Sequence, residues 1–233
     1  MKRILAIAAL AIALPGVTLA ASRSYDVGAF EGVSASAGIE VDISVGPNRS
    51  VVAENKSGQF DDLRIAVEGK VLHIGRPPGS WFSNWFSGGR PDYKVHVVTP
   101  ALHSLAAASG SEVEVKGVFE GDFSLTASSG SEVHVAGIRG GNVKASASSG
   151  SDVEIEGTCI SLQAEASSGS DLEADDLKCE DVTVNTSSGS DVSVSASKRV
   201  AGDASSGSDV TVKGRPPVVQ VEKSSGADVT VRD

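Results

Sequence analysis

Seven copies of the pattern Ser-Gly-(Ser/Ala)-(Asp/Glu)-(Val/Leu) follow one another between residues 109 and 230 of this 233-residue chain. The glycines of successive copies are 20, 20, 19, 20, 18 and 19 residues apart. A period near twenty predicts one supersecondary unit that is stacked repeatedly on copies of itself. Because glycine adopts backbone conformations that other residues avoid, we expect a turn at the glycine of every copy. These glycines are Gly110, Gly130, Gly150, Gly169, Gly189, Gly207 and Gly226.

The residues on both sides of each turn alternate between apolar and polar side chains. Around Gly130, Phe123 and Leu125 alternate with polar residues before the turn, and Val133 and Val135 do so after it. A period of two predicts two β-strands per unit and excludes an amphipathic helix. The same residue types return at the same phase, which favours a parallel β-solenoid over a meander of hairpins. We therefore expect an all-β, right-handed parallel β-helix of about seven coils, preceded by a β-rich N-terminal portion.

Each copy of the pattern also carries one acidic residue, and these residues share one phase of the repeat. Stacking would align them in an outward row with a spacing of about 4.8 Å. Like charges about 5 Å apart repel by only about 1 kcal/mol in water, so such a row needs no ion. Calcium binding by these carboxylates is one alternative, and hydrogen bonding of the serine and acidic side chains to the turn backbone is the other. No other cofactor is predicted. The acidic residues are Glu112, Glu132, Asp152, Asp171, Asp191, Asp209 and Asp228.

The two cysteines of the chain also share one phase. Cys159 precedes Gly169 by ten residues, and Cys179 precedes Gly189 by ten. Stacked coils would place the two Cα atoms about 5 Å apart, within the range that a disulfide accepts. In an exported protein this spacing favours a disulfide. The alternative is a pair of buried thiols in a side-chain ladder.

The first hundred residues contain alternating segments without the twenty-residue period. Ile39–Val45 and Tyr93–Val98 are examples, and Gly69-Lys70 predicts a hairpin turn between two further strands. We expect these strands to cap one end of the solenoid. The predicted division is a leader at 1–20, a β-rich capping portion at 21–100 and a solenoid at 101–233, or one continuous domain from 21 to 233.

Proline and glycine flank a cluster of aromatic side chains at residues 77–91, which predicts a loop. The cluster comprises Trp81, Phe82, Trp85 and Phe86. Exposed aromatic residues on a loop are typical of a contact surface for a protein, a glycan or a membrane interface. The alternative is a hydrophobic lid that folds back over the core.

The N-terminus predicts export. Lys2 and Arg3 precede an apolar run from Ile4 to Leu14, and small residues lead up to a predicted cleavage site after Ala20. Removal of this leader would leave 18 Lys and Arg against 30 Asp and Glu, a net charge of −12. Such a charge argues against binding to nucleic acid. No later segment predicts a transmembrane helix. We expect the mature chain in the periplasm or at the surface of a bacterium.

The pattern of polar residues does not predict an enzyme. A serine hydrolase needs a serine that is oriented by a histidine and an acid, and His73, His96, His103 and His134 are scattered through the sequence. Polysaccharide-active β-helices place a distinct cluster of carboxylates in a groove, whereas the polar positions here repeat without such a cluster. The fold alone does not justify an enzymatic assignment.

Three features of the sequence resemble a bacterial family. They are the opening Tyr25–Val33 followed by Ile39–Val41, the segment Val95–Leu102, and the repeated Ser-Gly-Ser-Asp-Val. The chain is similar over about residues 25–232 to the family DUF2807, also called the putative auto-transporter adhesin head or GIN domain. The resemblance implies a right-handed β-helix at the cell envelope, adhesion to a protein or a glycan, and no catalytic residues. The alternatives are a protein that binds or cleaves envelope polysaccharide, and a scaffold that assembles end to end through the edge at Val229–Val231.

Overall fold

The computed structural model describes residues 20–77 and 92–233, and all regular elements of this part of the chain are β-strands. The predicted leader and the aromatic residues Trp81, Phe82, Trp85 and Phe86 lie outside the described residues. The strands are β1 (Ala21–Ser24), β2 (Gly32–Ala35), β3 (Glu40–Val45), β4 (Ser50–Asn55), β5 (Arg64–Glu68), β6 (Val71–Gly75), β7 (Lys94–Thr99), β8 (Ser104–Ala108), β9 (Glu112–Lys116), β10 (Phe119–Glu120), β11 (Phe123–Ser128), β12 (Glu132–Arg139), β13 (Asn142–Ser148), β14 (Asp152–Ser167), β15 (Asp171–Ser187), β16 (Asp191–Ala204), β17 (Asp209–Lys213), β18 (Val218–Lys223) and β19 (Asp228–Arg232).

Two long sheets run along the solenoid and meet at the Ser-Gly turns. The sheet that leads into the turns, the pre-turn sheet, has the order β5, β6, β2, β8, β11, β13, β14, β15, β16, β18. The sheet that leaves the turns, the post-turn sheet, has the order β1, β4, β7, β3, β9, β12, β14, β15, β16, β17, β19. The long strands β14, β15 and β16 contribute to both sheets. In the pre-turn sheet all pairing from β2 to β18 is parallel, and in the post-turn sheet all pairing from β3 to β19 is parallel. The expected parallel β-solenoid is therefore confirmed.

Each turn places two consecutive residues in the left-handed region of backbone space. The φ angles are 51° to 60° at the serines and 64° to 82° at the glycines of the seven copies. The sequence predicts such a conformation for the glycines only, because a serine pays a steric cost there. Backbone hydrogen bonds between neighbouring turns hold this geometry. For example, Gly110 N donates to Ser129 O at 3.1 Å, and Gly130 N donates to Ser149 O at 3.1 Å.

In six of the seven copies a serine follows the turn glycine, and this serine is buried although it is polar. Ser151 illustrates the arrangement, because its Oγ accepts a hydrogen bond from Ser148 N at 3.0 Å and donates one to Ala127 O at 3.1 Å. The first bond closes the turn, and the second joins it to the preceding coil. A hydroxyl that both donates and accepts satisfies two backbone groups where the turn interrupts the ladder. The buried serines are Ser111, Ser131, Ser151, Ser170, Ser190 and Ser208.

We expect Ser151→Ala to lower the free energy of unfolding by about 1–3 kcal/mol, since it leaves a buried N–H and a buried carbonyl without their partner. Ser124 is an exposed residue of β11, and Ser124→Ala is the control, with an expected change within about 0.5 kcal/mol. Urea denaturation of both variants measures the difference. Equal midpoints would show that the buried hydroxyl contributes nothing to stability.

An additional turn of the same kind precedes the seven copies. Ala37 and Gly38 have φ values of 68° and 70°, and Gly38 N donates to Ser109 O at 3.0 Å. Ile39 lies at the position of the buried serine and is itself buried. This turn joins β2 to β3, and residues 46–77 and 92–103 contribute the capping strands before the chain returns to the column at β8.

The solenoid has about six turns rather than the expected seven. The difference is minor and follows from counting, since the seven glycines from Gly110 to Gly226 bound six intervals of 18 to 20 residues. Each interval corresponds to one complete coil.

Inward-facing side chains form continuous columns along the core. On the pre-turn sheet, Leu125, Ala145 and Ala164 are register partners on successive coils, and Val133 and Val153 are partners on the post-turn sheet. All are buried. The frequent alanines keep the core thin, as the sequence suggests. At the N-terminal end of the solenoid, Phe30, Leu63 and Tyr93 are buried against the ends of these columns. The antiparallel strands β1, β4 and β5 extend the two sheets there.

The two cysteines lie on neighbouring coils at matching positions. Cys159 of β14 and Cys179 of β15 are register partners, their Cα atoms are 4.5 Å apart, and their sulfurs are joined in a disulfide. Both residues are buried. The shared phase seen in the sequence thus corresponds to direct stacking in the fold.

Candidate interaction surfaces

The acidic residues of the repeat form one column on the outer face of the post-turn sheet. Register pairs connect Glu112 to Glu132, Glu132 to Asp152, and so on through Asp171, Asp191, Asp209 and Asp228. Glu40 extends the column by one coil, because it pairs with Glu112. Glu40 lies in the segment Gly38-Ile-Glu-Val, which is a degenerate copy of the repeated pattern. This similarity could have identified Glu40 from the sequence. We call this row the first acidic column.

A second column of mostly acidic side chains runs beside the first, two residues further along each strand. It contains Asp42, Glu114, His134, Glu154 and Glu173, which are partners on successive coils. Sequence reasoning missed this column because its residues are not part of the short repeated pattern. Together the columns line two shallow depressions of about 390 Å³ and 220 Å³ on the sheet surface.

Lys94 and His96 contact the carboxylates at the N-terminal end of these columns, and the Lys94 charge offsets part of theirs. Lys94 Nζ contacts Glu40 and lies 3.0 Å from Asp42 Oδ2, while His96 Nδ1 lies 3.2 Å from Asp42. The hydrogen bonds that Lys94 donates to the two carboxylates raise the pKa of Lys94 above its ordinary value, so this amine stays charged. From Glu112 onward fewer carboxylates of the columns have such a partner, although Lys116 contacts Glu114 and Lys223 lies 3.5 Å from Asp228.

Asp171 lies in the middle of the first acidic column, and its pKa shows the effect of the neighbouring carboxylates most clearly. Partial burial, followed by the charges of Asp191 and Asp152, raises the pKa of Asp171 above its usual range. Asp122, on a different part of the surface, shows the opposite effect. Its Oδ1 accepts hydrogen bonds from Asn142 N at 2.8 Å and from Asn142 Nδ2 at 3.0 Å, which lower the pKa of that carboxyl group.

These opposite shifts predict opposite effects of pH on stability. A raised carboxyl pKa means that the folded state resists ionisation, so Asp171→Asn should stabilise the protein at neutral pH. That gain should disappear as pH falls below the ordinary value of about 4. Asp122→Ala should destabilise at neutral pH, and its loss should shrink as pH falls through the lowered pKa. Denaturation midpoints of the two variants at neutral and acidic pH measure this, and shifts of the same sign would contradict it.

Three side chains of the post-turn sheet could share a metal ion. The ligand atoms of His134, Glu154 and Glu156 lie within 4.8 Å of one another, and His134 Nδ1 is 2.8 Å from Glu154 Oε2. An imidazole with two carboxylates differs from the all-oxygen set that calcium prefers. The sequence hypothesis of calcium at the first acidic column remains a hypothesis, since the side chains are aligned but exposed acidic rows form without ions.

The outer face of the pre-turn sheet is less charged. A shallow depression of about 380 Å³ is lined by hydroxyl, amide and carboxylate groups, including Ser146, Glu165, Asn185 and Asp203. These residues are partners on successive coils. The two faces of the solenoid thus differ in charge although they have the same geometry.

Three histidines, His96, His103 and His134, make contacts at the surface. His96 contacts Asp42 and Glu54, His134 contacts Glu154, and the His103 ring lies 3.3 Å from the Asp122 carbonyl. These contacts join histidine to carboxylates or to backbone rather than to a serine hydroxyl. The serines after the turns are buried and bonded to backbone, which is a structural use of the hydroxyl.

Comparison with known proteins identifies relatives at the level of family and fold. Residues 29–216 match the family model DUF2807, described as putative auto-transporter adhesin, head GIN domain. The crystal structure of a putative adhesin from Bacteroides fragilis is similar, with a TM-score of 0.76 at 13% identity, covering 93% of this chain and 98% of that one.

Two structures from Parabacteroides are also similar. A putative lipid binding protein from Parabacteroides distasonis has a TM-score of 0.69 at 14% identity, covering 92% of this chain and 97% of that one. A putative adhesin from Parabacteroides merdae has a TM-score of 0.66 at 10% identity, with coverage of 92% and 96%. Comparison with curated proteins gave no match. At these identities the structures establish the fold alone.

Proposed function

Since the chain belongs to the DUF2807 family of putative auto-transporter adhesin head (GIN) domains, we propose that it is a non-catalytic adhesion protein of the bacterial envelope. It is exported and acts at the cell surface. It contacts a protein or a glycan through the outer face of the post-turn sheet. The described part of the chain contains no helix that could span a membrane.

The observation that carries this proposal is the pair of aligned acidic columns. Ten carboxylates from Glu112 to Asp228 and from Glu114 to Glu173 repeat on one flat face, with His134 among them. Aligned like charges on a rigid sheet create an extended negative potential, which attracts cationic groups and speeds association. Repetition along the column also allows contact with a partner at several registers, as adhesion requires.

Surface labelling tests the location. A membrane-impermeant amine reagent applied to intact cells should modify the chain, because the side chains of Lys116, Lys178 and Lys198 are each more than half exposed. A periplasmic protein that stays unlabelled is the control. Labelling that requires permeabilised cells would overturn the surface location and favour a periplasmic role.

Binding by the purified chain tests the activity. Beads that carry the chain should adhere to bacterial or host cell surfaces, and Glu132→Gln with Asp152→Asn should weaken adhesion. The matched variant Glu165→Gln with Asp203→Asn alters the pre-turn sheet and should leave adhesion unchanged. Equal loss in both variants would contradict the assignment of the face. A saccharide product whose release is abolished by one carboxylate substitution would overturn the non-catalytic role.

A further inference from the structure

We propose that the C-terminal end of the solenoid is an interaction surface for a second copy of this chain, which docks tail to tail through antiparallel pairing of β19 with β19 of the partner copy. This surface is the open edge of the two sheets, and it meets the face that we assign to adhesion at Asp228, the last residue of the first acidic column. It consists of β18 and β19, the last strands of the two sheets.

Both strands have a neighbour on one side only within the part of the chain that the structure describes. β18 pairs with β16, and β19 pairs with β17. The outer N–H and C=O groups of the two strands therefore form two open edges at one end of the column. Open edges of this kind pair readily with a strand of another chain.

The apolar columns of the core also continue into these strands and emerge at the surface. Val219 is 37% exposed and Val231 is 48% exposed, whereas their register partners one coil earlier, Val200 and Val212, are both 0% exposed. Val218 is also exposed. A partner that covers the end must supply matching apolar columns and two strands, and another copy of the same end supplies both.

Among the described residues, the N-terminal end is built differently, so a head-to-tail contact would join two unlike ends. Its outermost strands are β1 and β5, which are antiparallel to their neighbours and carry charged residues. Arg64 and Glu68 of β5 form an ion pair with a distance of 2.9 Å, and Arg23 lies in β1. An interface that uses the same surface on both copies closes as a dimer.

The charges of β19 distinguish the two possible strand directions. Asp228 and Arg232 lie at opposite ends of the sequence Asp-Val-Thr-Val-Arg. Parallel stacking places like charges together, as it does inside the column, where Asp209 pairs with Asp228 and Lys213 with Arg232. Antiparallel pairing centred on Thr230 instead places Asp228 opposite Arg232 of the partner copy. Lys223, 3.5 Å from Asp228, is an exposed partner and contributes little by itself.

Analytical ultracentrifugation of the full chain over a range of concentrations tests the proposal. We expect a monomer and a dimer, with no larger species. Val231→Lys should raise the dimer dissociation constant about tenfold or more, because it places a charge at the open edge. Val118, which is exposed on the side of the column, provides the control Val118→Lys, which should not change it. A wild-type chain that stays monomeric, or one that forms open-ended oligomers, would overturn the proposal.

A charge exchange tests the strand direction independently. Arg232→Asp alone and Asp228→Arg alone should each weaken the dimer about tenfold, because like charges then face each other across the interface. The double variant restores the complementary pair and should recover dimerisation. Thermal unfolding of every variant verifies that the monomer is folded. Failure of the double variant to recover would contradict antiparallel self-pairing of β19.

Discussion

Replacing Gly157 with alanine should lower the free energy of unfolding by about 4 kcal/mol or more, among the largest effects of any single substitution in this protein. Gly157 has a φ of +138°, and a Cβ atom built on it would lie 2.1 Å from the carbonyl oxygen of Ile138 and 2.9 Å from its nitrogen. Both are backbone atoms of the neighbouring coil and cannot rotate away. The coils must therefore separate at a point where the Ile138 side chain is buried.

Gly150→Ala is the matched control for this prediction. Gly150 also has a positive φ, +67°, but a Cβ atom there would meet only the Gly169 carbonyl oxygen, at 3.9 Å. The free energy of unfolding should fall by about 1–2 kcal/mol, because alanine must be held in the left-handed region. Alanine reduces the conformational entropy of the unfolded chain equally in both variants, so the difference between them reports the steric clash. Urea denaturation measures it, and equal losses would show that the coils adapt locally to the added methyl group.

The regular part of the fold could be predicted because its physical causes are local and repeated. Alternation with period two gives the strands, and recurrence of identical residue types requires equivalent positions to stack. The register of Glu112 on Glu132 and of Cys159 on Cys179 follows from these two facts alone. The number of turns was overestimated by one because motifs were counted rather than the intervals between them.

The capping portion was predicted less completely because it breaks this repetition. The strands around Ile39–Val45 and Tyr93–Val98 were expected, but the turn at Ala37-Gly38 was missed. Alanine there replaces the serine of the pattern and Ile39 replaces the buried serine, so neither polar residue marks the turn. The backbone nevertheless adopts the same left-handed pair, with φ of 68° and 70°.

The properties of the candidate surface depend on contacts that the sequence does not contain. The first acidic column was expected as an outward row, yet the contact of Lys94 with its N-terminal end was not. Lys94 is 54 residues from Glu40 in the chain, and the two meet because β7 pairs with β3. Likewise, the raised pKa of Asp171 results from burial and neighbouring charges on adjacent coils.

The division into a portion at 21–100 and one at 101–233 stays a prediction, although β3 contacts strands on both sides of that boundary.

Reduction of the disulfide should lower the free energy of unfolding by about 3 kcal/mol, the second of the two large effects. Cys159 and Cys179 are 20 residues apart, and a crosslink that closes a loop of this length restricts the unfolded chain by about that amount. Urea denaturation with and without a reductant measures the loss. The control is Cys159→Ala with Cys179→Ala, whose stability should not respond to the reductant. Alanine fits this column, because Ala196 is the register partner of Cys179 on the next coil and is buried.

The position of the crosslink predicts where reduction should act. The pairing of β14 with β15 shifts register between Glu154 and Gly157, and that of β15 with β16 shifts on both sides of Lys178 and Cys179. The covalent bond therefore lies where the hydrogen-bond ladder between coils is least continuous. Amide hydrogen exchange should accelerate on reduction at residues 157–160 and 177–181, and stay slower in the regular strands around Val133 and Val153. Uniform acceleration would contradict a local role. Two titratable thiols in the unfolded, unreduced protein would show that the bridge does not form.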